Sequence, residues 1–164
     1  MASDTRRPRP VGINHVALEV DDVERALAFY GRLFDIRRVD REPGGVFVDL
    51  GDQFIAMFEP GAQEDRHFGL VVDDKEAARR VLAAEGVELL PGGRLDFRDP
   101  FGNRVQLVQY DQIQFLKASS VLRAMGLGFL AKTEAAMAEL RSNGLVSRTV
   151  ATSARRLGNL VSAA

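Results

Sequence analysis

The 164-residue chain contains no cysteine, which excludes disulfides, thiolate metal ligands and cysteine nucleophiles. It has no apolar run near the roughly 20 residues needed to cross a bilayer. Its N-terminal segment, MASDTRRPRPVG, lacks the apolar stretch of a secretory signal. A net charge of -1 gives no general attraction to nucleic acid or to anionic membranes. We therefore expect a cytoplasmic protein whose partners are small molecules or proteins, not nucleic acid or membrane.

Histidine is almost as scarce, because the chain has only two, and both begin the same phrase. HVALEVDD starts at His15 and HFGLVVDD starts at His67. Both phrases alternate as half-buried strands do, which predicts that each imidazole lies on the face opposite the bulky apolar residues. The small residue two positions later, Ala17 or Gly69, predicts open space beside each histidine. In the first strand, the face expected to pack beneath a helix contains Val16, Leu18 and Val20.

Each phrase ends in two aspartates, and apolar residues at helical spacing follow. Asp22 and Asp74 are predicted helix N-caps, and Gly86 is a predicted helix stop. Three short strands are predicted after each helix, at 36–41, 46–50 and 54–58 in the first copy and at 87–90, 94–97 and 104–109 in the second. The unit is therefore strand, helix and three strands, and it occurs twice.

This duplication divides the chain into a disordered leader (1–10), paired modules (about 11–60 and 65–110) and a helical C-terminal extension (111–164). In each module one helix covers one sheet face and leaves the other face concave. Two modules side by side would enclose a cleft, with both histidines on its wall.

The repeated H-[VF]-[AG]-L-x-V-D-D phrase and the later segment DPFGNRVQL resemble the vicinal oxygen chelate superfamily. That superfamily includes glyoxalase I, extradiol dioxygenases and bleomycin-binding proteins. The resemblance covers about 11–110 and implies an α+β fold in which two tandem βαβββ modules form a concave mixed-sheet cleft. It does not select one reaction, because such folds host several.

The resemblance also implies a divalent metal site. His15 and His67 match its first-strand ligands, and Gln106 matches the last-strand ligand of the second module. Ala56 stands at the corresponding position of the first module, where it can bind nothing. Glu59 is a doubtful substitute, because an odd offset of three residues directs it to the opposite face unless the strand bulges. The implied ion is Fe, Mn, Ni or Zn, acting as a Lewis acid or in redox chemistry with oxygen, and no organic cofactor is expected.

Two functions follow from this pattern. One is a metal-dependent lyase, isomerase or dioxygenase acting on a small oxygenated substrate. The other is a metal-free protein that sequesters a small molecule, as bleomycin-binding relatives do, and the missing ligand at Ala56 favours it. No catalytic residue is assigned: Glu19 shares the histidine face and is a candidate acid or base, but a solvated strand residue is the preferred interpretation. A homodimer formed by strand pairing or by the extension is expected, and the extension could instead cover the cleft.

Overall fold

The structure is a computed structural model that describes residues 6–62 and 65–147. The first module contains β1 (Pro10–Glu19), α1 (Val23–Leu33), β2 (Val39–Glu42), β3 (Gly45–Asp49) and β4 (Phe54–Phe58). The second contains β5 (His67–Val72), α2 (Lys75–Ala84), β6 (Leu95–Arg98) and β7 (Arg104–Gln109). A 3-10 turn (Tyr110–Gln112), α3 (Ser119–Ala124) and α4 (Glu134–Ser142) follow.

The strands form one mixed sheet in the order β2-β3-β4-β1-β5-β7-β6. The modules meet where β1 and β5 pair antiparallel, and within each module the first strand pairs parallel with the last. The predicted α+β fold of two tandem modules is thus confirmed.

The predicted strands are recovered unevenly. The predicted bounds 54–58 and 104–109 match β4 and β7, and the strand predicted at 36–41 begins only at Val39. The strand predicted at 87–90 is wrong, because a single bridge from Leu89 to Phe97 is all that forms. The ladder does not extend because the next residues are bonded elsewhere: Val87 N donates to Leu82 O at 2.9 Å, and Asp99 N donates to Asn103 O at 3.0 Å.

Both predicted aspartate caps form. The Asp22 carboxylate accepts a hydrogen bond from Arg25 N at 2.9 Å, and Asp74 accepts one from Ala77 N at 2.8 Å. Each bond satisfies a backbone donor that the first helical turn would otherwise leave without a partner. The repeated aspartate pair therefore fixes where each helix begins.

Replacing Asp22 or Asp74 with alanine should lower the free energy of unfolding by about 1 kcal/mol each, because one capping bond is lost. Urea denaturation followed by circular dichroism measures this. Asp21→Ala is the matched control, since Asp21 is an exposed neighbour that does not cap the helix. Equal losses in Asp21→Ala and Asp22→Ala would show that the cap does not stabilise α1.

The helix-covered face differs from expectation at its centre. Helix α1 packs on β3 and β4 through a cluster that includes Val46 and Met57, and α2 packs on the second-module strands. Because each helix lies over its own module's outer strands, β1 is left between them. Val16 is 40% exposed and Ile13 is 48% exposed. The prediction that Val16 packs beneath a helix is therefore wrong.

The extension packs against the opposite, concave face at one end. Its Phe115, Leu122 and Leu127 form a buried cluster with Val11 and Val71 of the sheet. Val71 lies two residues after Gly69 and four after His67. Because side chains alternate between the two faces of a strand, all three residues lie on the concave face. The Phe115 ring lies directly over Gly12, where an added Cβ would come within 2.6 Å of Phe115 Cζ. The extension thus covers part of the face that the repeat alone would leave open.

Farther along, the extension crosses the first module. Leu116 N donates to Asp52 Oδ2 at 2.8 Å, and Arg38 Nη1 donates to Asn143 Oδ1 at 3.3 Å. A cavity of about 310 Å³ lies between α4 and the first-module sheet, lined by Glu139 and Asn143 from the extension. The remainder of the predicted helical extension, 148–164, lies outside the described residues. Over residues 6–62 and 65–147, none of the helices has the length and apolar character needed to traverse a bilayer.

Candidate cleft site

The two histidines lie side by side on the concave face. In the antiparallel β1–β5 pair, His15 is opposite Gly69 and His67 is opposite Ala17. The imidazole centroids are 5.2 Å apart, with the ring planes at 85°. A register shift between Ile13 and His15 lets the neighbouring Asn14 turn inward as well, so both residues are buried.

The small residue at position 69 has a different role from the one expected. A Cβ added at Gly69 would lie 2.3 Å from both Cε1 and Nδ1 of His15. The expected space beside His67 is therefore filled by the ring of His15 from the neighbouring strand. On its other side, His15 stacks on Phe54 with centroids 4.7 Å apart and planes at 7°. The ring is confined between a glycine backbone and an aromatic face.

Hydrogen bonds set the tautomers of both rings. His15 Nδ1 lies 2.5 Å from Asn14 Oδ1, and His67 Nδ1 lies 2.7 Å from the Asp65 carbonyl oxygen. Because both oxygens only accept, each Nδ1 bears the proton and each Nε2 has the lone pair that binds a metal. Burial, together with the nearby His67 and Arg94, lowers the pKa of His15 to about 4. His15 is therefore neutral near pH 7, as a metal ligand must be.

Gln106 joins the histidines. It lies opposite Gly69 in the β5–β7 pair, is buried, and makes a side-chain hydrogen bond with His15. Ala56 lies opposite Ala17 in the β1–β4 pair, the equivalent position of the first module. The structure thus brings His15, His67 and Gln106 together and places the methyl group of Ala56 where a fourth ligand would be.

Two other sequence candidates lie elsewhere. Glu59 Oε1 accepts a hydrogen bond from Val23 N at 3.0 Å, so this carboxylate stabilises the start of α1 instead of joining the histidines. Glu19 accepts a bond from Arg66 N at 3.3 Å and is exposed. Neither residue lines the cavity that contains the two imidazoles.

That cavity has a volume of about 250 Å³. Its first-module wall is mainly aromatic but also contains His15 and Glu42, and its second-module wall is polar. The lining residues are His15, Glu42, Phe47, Phe54, Ala56, Phe58, His67, Arg94 and Gln106. It shares Glu42, Phe47 and Phe54 with the cavity under α4. The sequence analysis missed the three phenylalanines, although their alternation along β3 and β4 is a usable signal.

A charged network supports the polar wall. Arg104 Nη2 donates to Asp96 Oδ2 at 2.6 Å, and Nη1 donates to Asp65 Oδ1 at 2.5 Å. Asp65 is also the residue whose carbonyl orients His67. Arg104 therefore connects Asp65, which orients His67, to Asp96. Asp96 in turn pairs with Gln106 across β6 and β7. The sequence analysis missed both Asp96 and Arg104, because their roles depend on strand register.

The donors present suit a divalent first-row ion. No group of three histidine, cysteine, aspartate or glutamate side chains within the described ranges could hold a metal. Two imidazoles and an amide oxygen nevertheless match the nitrogen and oxygen ligands of Fe, Mn, Ni or Zn. A buried carboxylate oxygen without a hydrogen-bond partner, Asp96 Oδ1, lies behind this set and would favour a positive charge in front of it.

The fold is thus a βαβββ module joined to a βαββ module that retains a single bridge at Leu89, and the two histidines meet on the shared concave sheet. The family model described as the glyoxalase/bleomycin resistance protein/dioxygenase superfamily matches residues 12–107, more than half of the chain. The chain belongs to this superfamily.

The sequence identity to individual similar proteins is low. An uncharacterized protein of Pseudomonas aeruginosa is 30% identical, over 57% of this chain and 85% of that protein. Lactoylglutathione lyase from Agrobacterium tumefaciens is 29% identical, over 62% of this chain and 96% of that one, with a TM-score of 0.31. A methylmalonyl-CoA epimerase variant from Streptomyces coelicolor, bound to 2-nitronate-propionyl-CoA, is 15% identical over 62% and 95%, with a TM-score of 0.45.

Proposed function

We propose that the chain is a divalent-metal-dependent enzyme that acts on a small oxygenated substrate by binding vicinal oxygens, as a lyase, isomerase or dioxygenase. The observation that supports this most is the meeting of His15, His67 and Gln106 in one buried cavity. His15 and His67 are the chain's only two histidines, and they come from equivalent positions of the two modules. Packing alone gives no reason for two adjacent imidazoles that both use Nδ1 in a hydrogen bond.

His15 Nε2, His67 Nε2 and Gln106 Oε1 would hold the ion. A bound Fe, Mn, Ni or Zn supplies Lewis acidity toward substrate oxygens, or redox chemistry with oxygen. The Asp65 carbonyl and the Asn14 amide keep both imidazoles in the ligating tautomer. The aromatic wall excludes water from the substrate's apolar part.

Purified protein reconstituted with Zn²⁺ or Mn²⁺ and then desalted should retain about one ion per chain, and His15→Ala or His67→Ala should lose most of it. Each substitution removes one of three donors, so affinity should fall at least roughly tenfold. Elemental analysis and isothermal titration measure this, with circular dichroism as the test of folding. Sub-stoichiometric metal that neither substitution changes would rule out the proposed enzyme.

The second candidate is a metal-free protein that sequesters a small molecule. Ala56 and the phenylalanine wall favour it, because they offer contact area and no ligating atom. The hydrogen bonds that His15 makes with Asn14 and Gln106 also favour it, since they satisfy both ring nitrogens without an ion. Ligand binding that survives exhaustive chelation would identify this function, whereas binding that needs added metal would identify the first.

A homodimer accompanies either function in this proposal. Within the described residues, β2 ends the sheet at one edge, and at the other edge β6 has only the single bridge to Leu89 beyond it. On the convex side, Phe29, Leu33 and Phe34 of the first module are each about half exposed or more. Sedimentation analysis of the purified chain would show whether it dimerises.

A further inference from the structure

Asp96 is the least explained polar residue near the cleft. It is 2% exposed, and within the described part of the chain its Oδ1 has no hydrogen-bond partner. Its other oxygen, Oδ2, is held by Arg104 Nη2 at 2.6 Å, so the carboxylate cannot simply turn to satisfy Oδ1. Leaving a buried acceptor without a donor costs about 1–3 kcal/mol. A donor that approaches in another state of the site would account for such an atom.

Gln106 is the side chain placed to supply that donor. Asp96 and Gln106 are directly paired across the antiparallel strands β6 and β7, and both are buried. Opposed side chains on one face of such a pair have Cβ atoms about 4.5–5.5 Å apart, within reach of an amide and a carboxylate. Gln106 is bonded to His15, and a turn about its terminal torsions directs Nε2 toward Asp96 instead.

We propose that Asp96 is a positioning residue for Gln106: Asp96 Oδ1 accepts a hydrogen bond from Gln106 Nε2, and this holds Gln106 Oε1 toward the two histidines. The inference rests on the proposed function, because the amide oxygen is positioned there to bind the ion. Asp96 itself does not touch the ion. Its negative charge polarises the amide, so that Oε1 becomes a better donor.

This arrangement gives a physical reason for glutamine at a position where a carboxylate would be the stronger ligand. A glutamate at 106 would face the buried Asp96 carboxylate across the strand pair, and two like charges in a buried site repel strongly. The amide avoids this repulsion and offers an N–H to the carboxylate. The negative charge of the site is thus on Asp96, one strand farther from the ion than a carboxylate at position 106 would be. The ion pair with Arg104 holds it there.

The test exchanges the two groups. Four proteins are compared with wild type: Asp96→Asn, Gln106→Glu, the double variant that combines both, and Asp73→Asn. The last is a matched control, because Asp73 also has a fully buried, arginine-paired side chain, but it binds the leader residues Arg6 and Arg9. Affinity for Co²⁺ is measured by titration of the ion's visible absorption, and Tm is measured without metal.

Asp96→Asn should weaken Co²⁺ binding about tenfold or more, whereas Asp73→Asn should leave it within twofold of wild type. Gln106→Glu should lower Tm, because it places two buried carboxylates face to face. The double variant should have a higher Tm than Gln106→Glu and should regain Co²⁺ affinity, because one carboxylate and one amide again oppose each other.

Two results would overturn the positioning role: equal Co²⁺ affinity in Asp96→Asn and Asp73→Asn, or a double variant that melts no higher than Gln106→Glu. Failure of wild type to bind Co²⁺ would instead count against the proposed function. The comparison of Tm values would then still decide whether residues 96 and 106 interact as a pair.

Discussion

Replacing Gly69 with alanine is expected to displace the His15 imidazole and to lower both stability and cation affinity. The added methyl carbon would lie 2.3 Å from two ring atoms, far inside van der Waals contact. The ring cannot retreat, because Phe54 stacks on it and Asn14 holds its Nδ1. Forcing a carbon atom into such a site typically costs about 1–3 kcal/mol. Affinity for Zn²⁺ should fall roughly tenfold or more, because one of three donors is misplaced.

Urea denaturation and isothermal titration with Zn²⁺ measure these two effects. Gly31→Ala is the control, since the structure places nothing within 4 Å of its added Cβ and it lies in α1. That variant should be more stable than wild type by about 0.5–1 kcal/mol, because alanine is the better helix former. A Gly69→Ala protein with wild-type stability and Zn²⁺ affinity would mean that His15 does not occupy the described position.

Phe115→Ala should give the largest loss of stability, about 3–5 kcal/mol. Phe115 is buried between the extension and the sheet, where its ring fills the surface above Gly12. Removing it leaves a cavity at the contact between two parts of the chain that are distant in sequence. The extension should then become sensitive to proteases at concentrations that leave wild type intact.

Phe129→Ala is the control, since Phe129 is 67% exposed in the same segment and its loss should change stability by no more than about 0.5 kcal/mol. Chemical denaturation and timed proteolysis measure both variants. Similar, small effects from the two substitutions would show that the extension contributes little to the core, and that the concave face can be uncovered at low cost.

The sequence is sufficient to predict the features that depend on local pattern. Asp22 and Asp74 cap helices because each carboxylate reaches backbone amides only three residues ahead. Strand alternation likewise predicts that His15 and His67 share a face. The family resemblance then adds Gln106, and the register of β5 with β7 places it beside Gly69.

Features that depend on pairing between distant segments were not predictable. The contact of Phe115 with Gly12 cannot be predicted from hydrophobic periodicity, because neither residue stands out from the pattern of its own segment. The opposition of Asp96 and Gln106 requires the exact register of β6 with β7. The strand expected at 87–90 fails for a similar reason: its apolar residues suit a strand, but Val87 N is bonded to Leu82 O at the end of α2, and only one bridge forms.

The cleft joins two unlike halves of a duplicated chain. The first-module wall presents Phe47, Phe54 and Phe58, while the second presents Gln106 and Arg94. The backbone therefore keeps an approximate twofold relation that the side chains have lost. A molecule bound between the walls meets mainly aromatic carbon on one side and polar groups on the other, so the cleft favours one orientation of an unsymmetrical molecule. The duplicated modules form the two sides of the cleft, and the sequence differences between them make those sides chemically unequal.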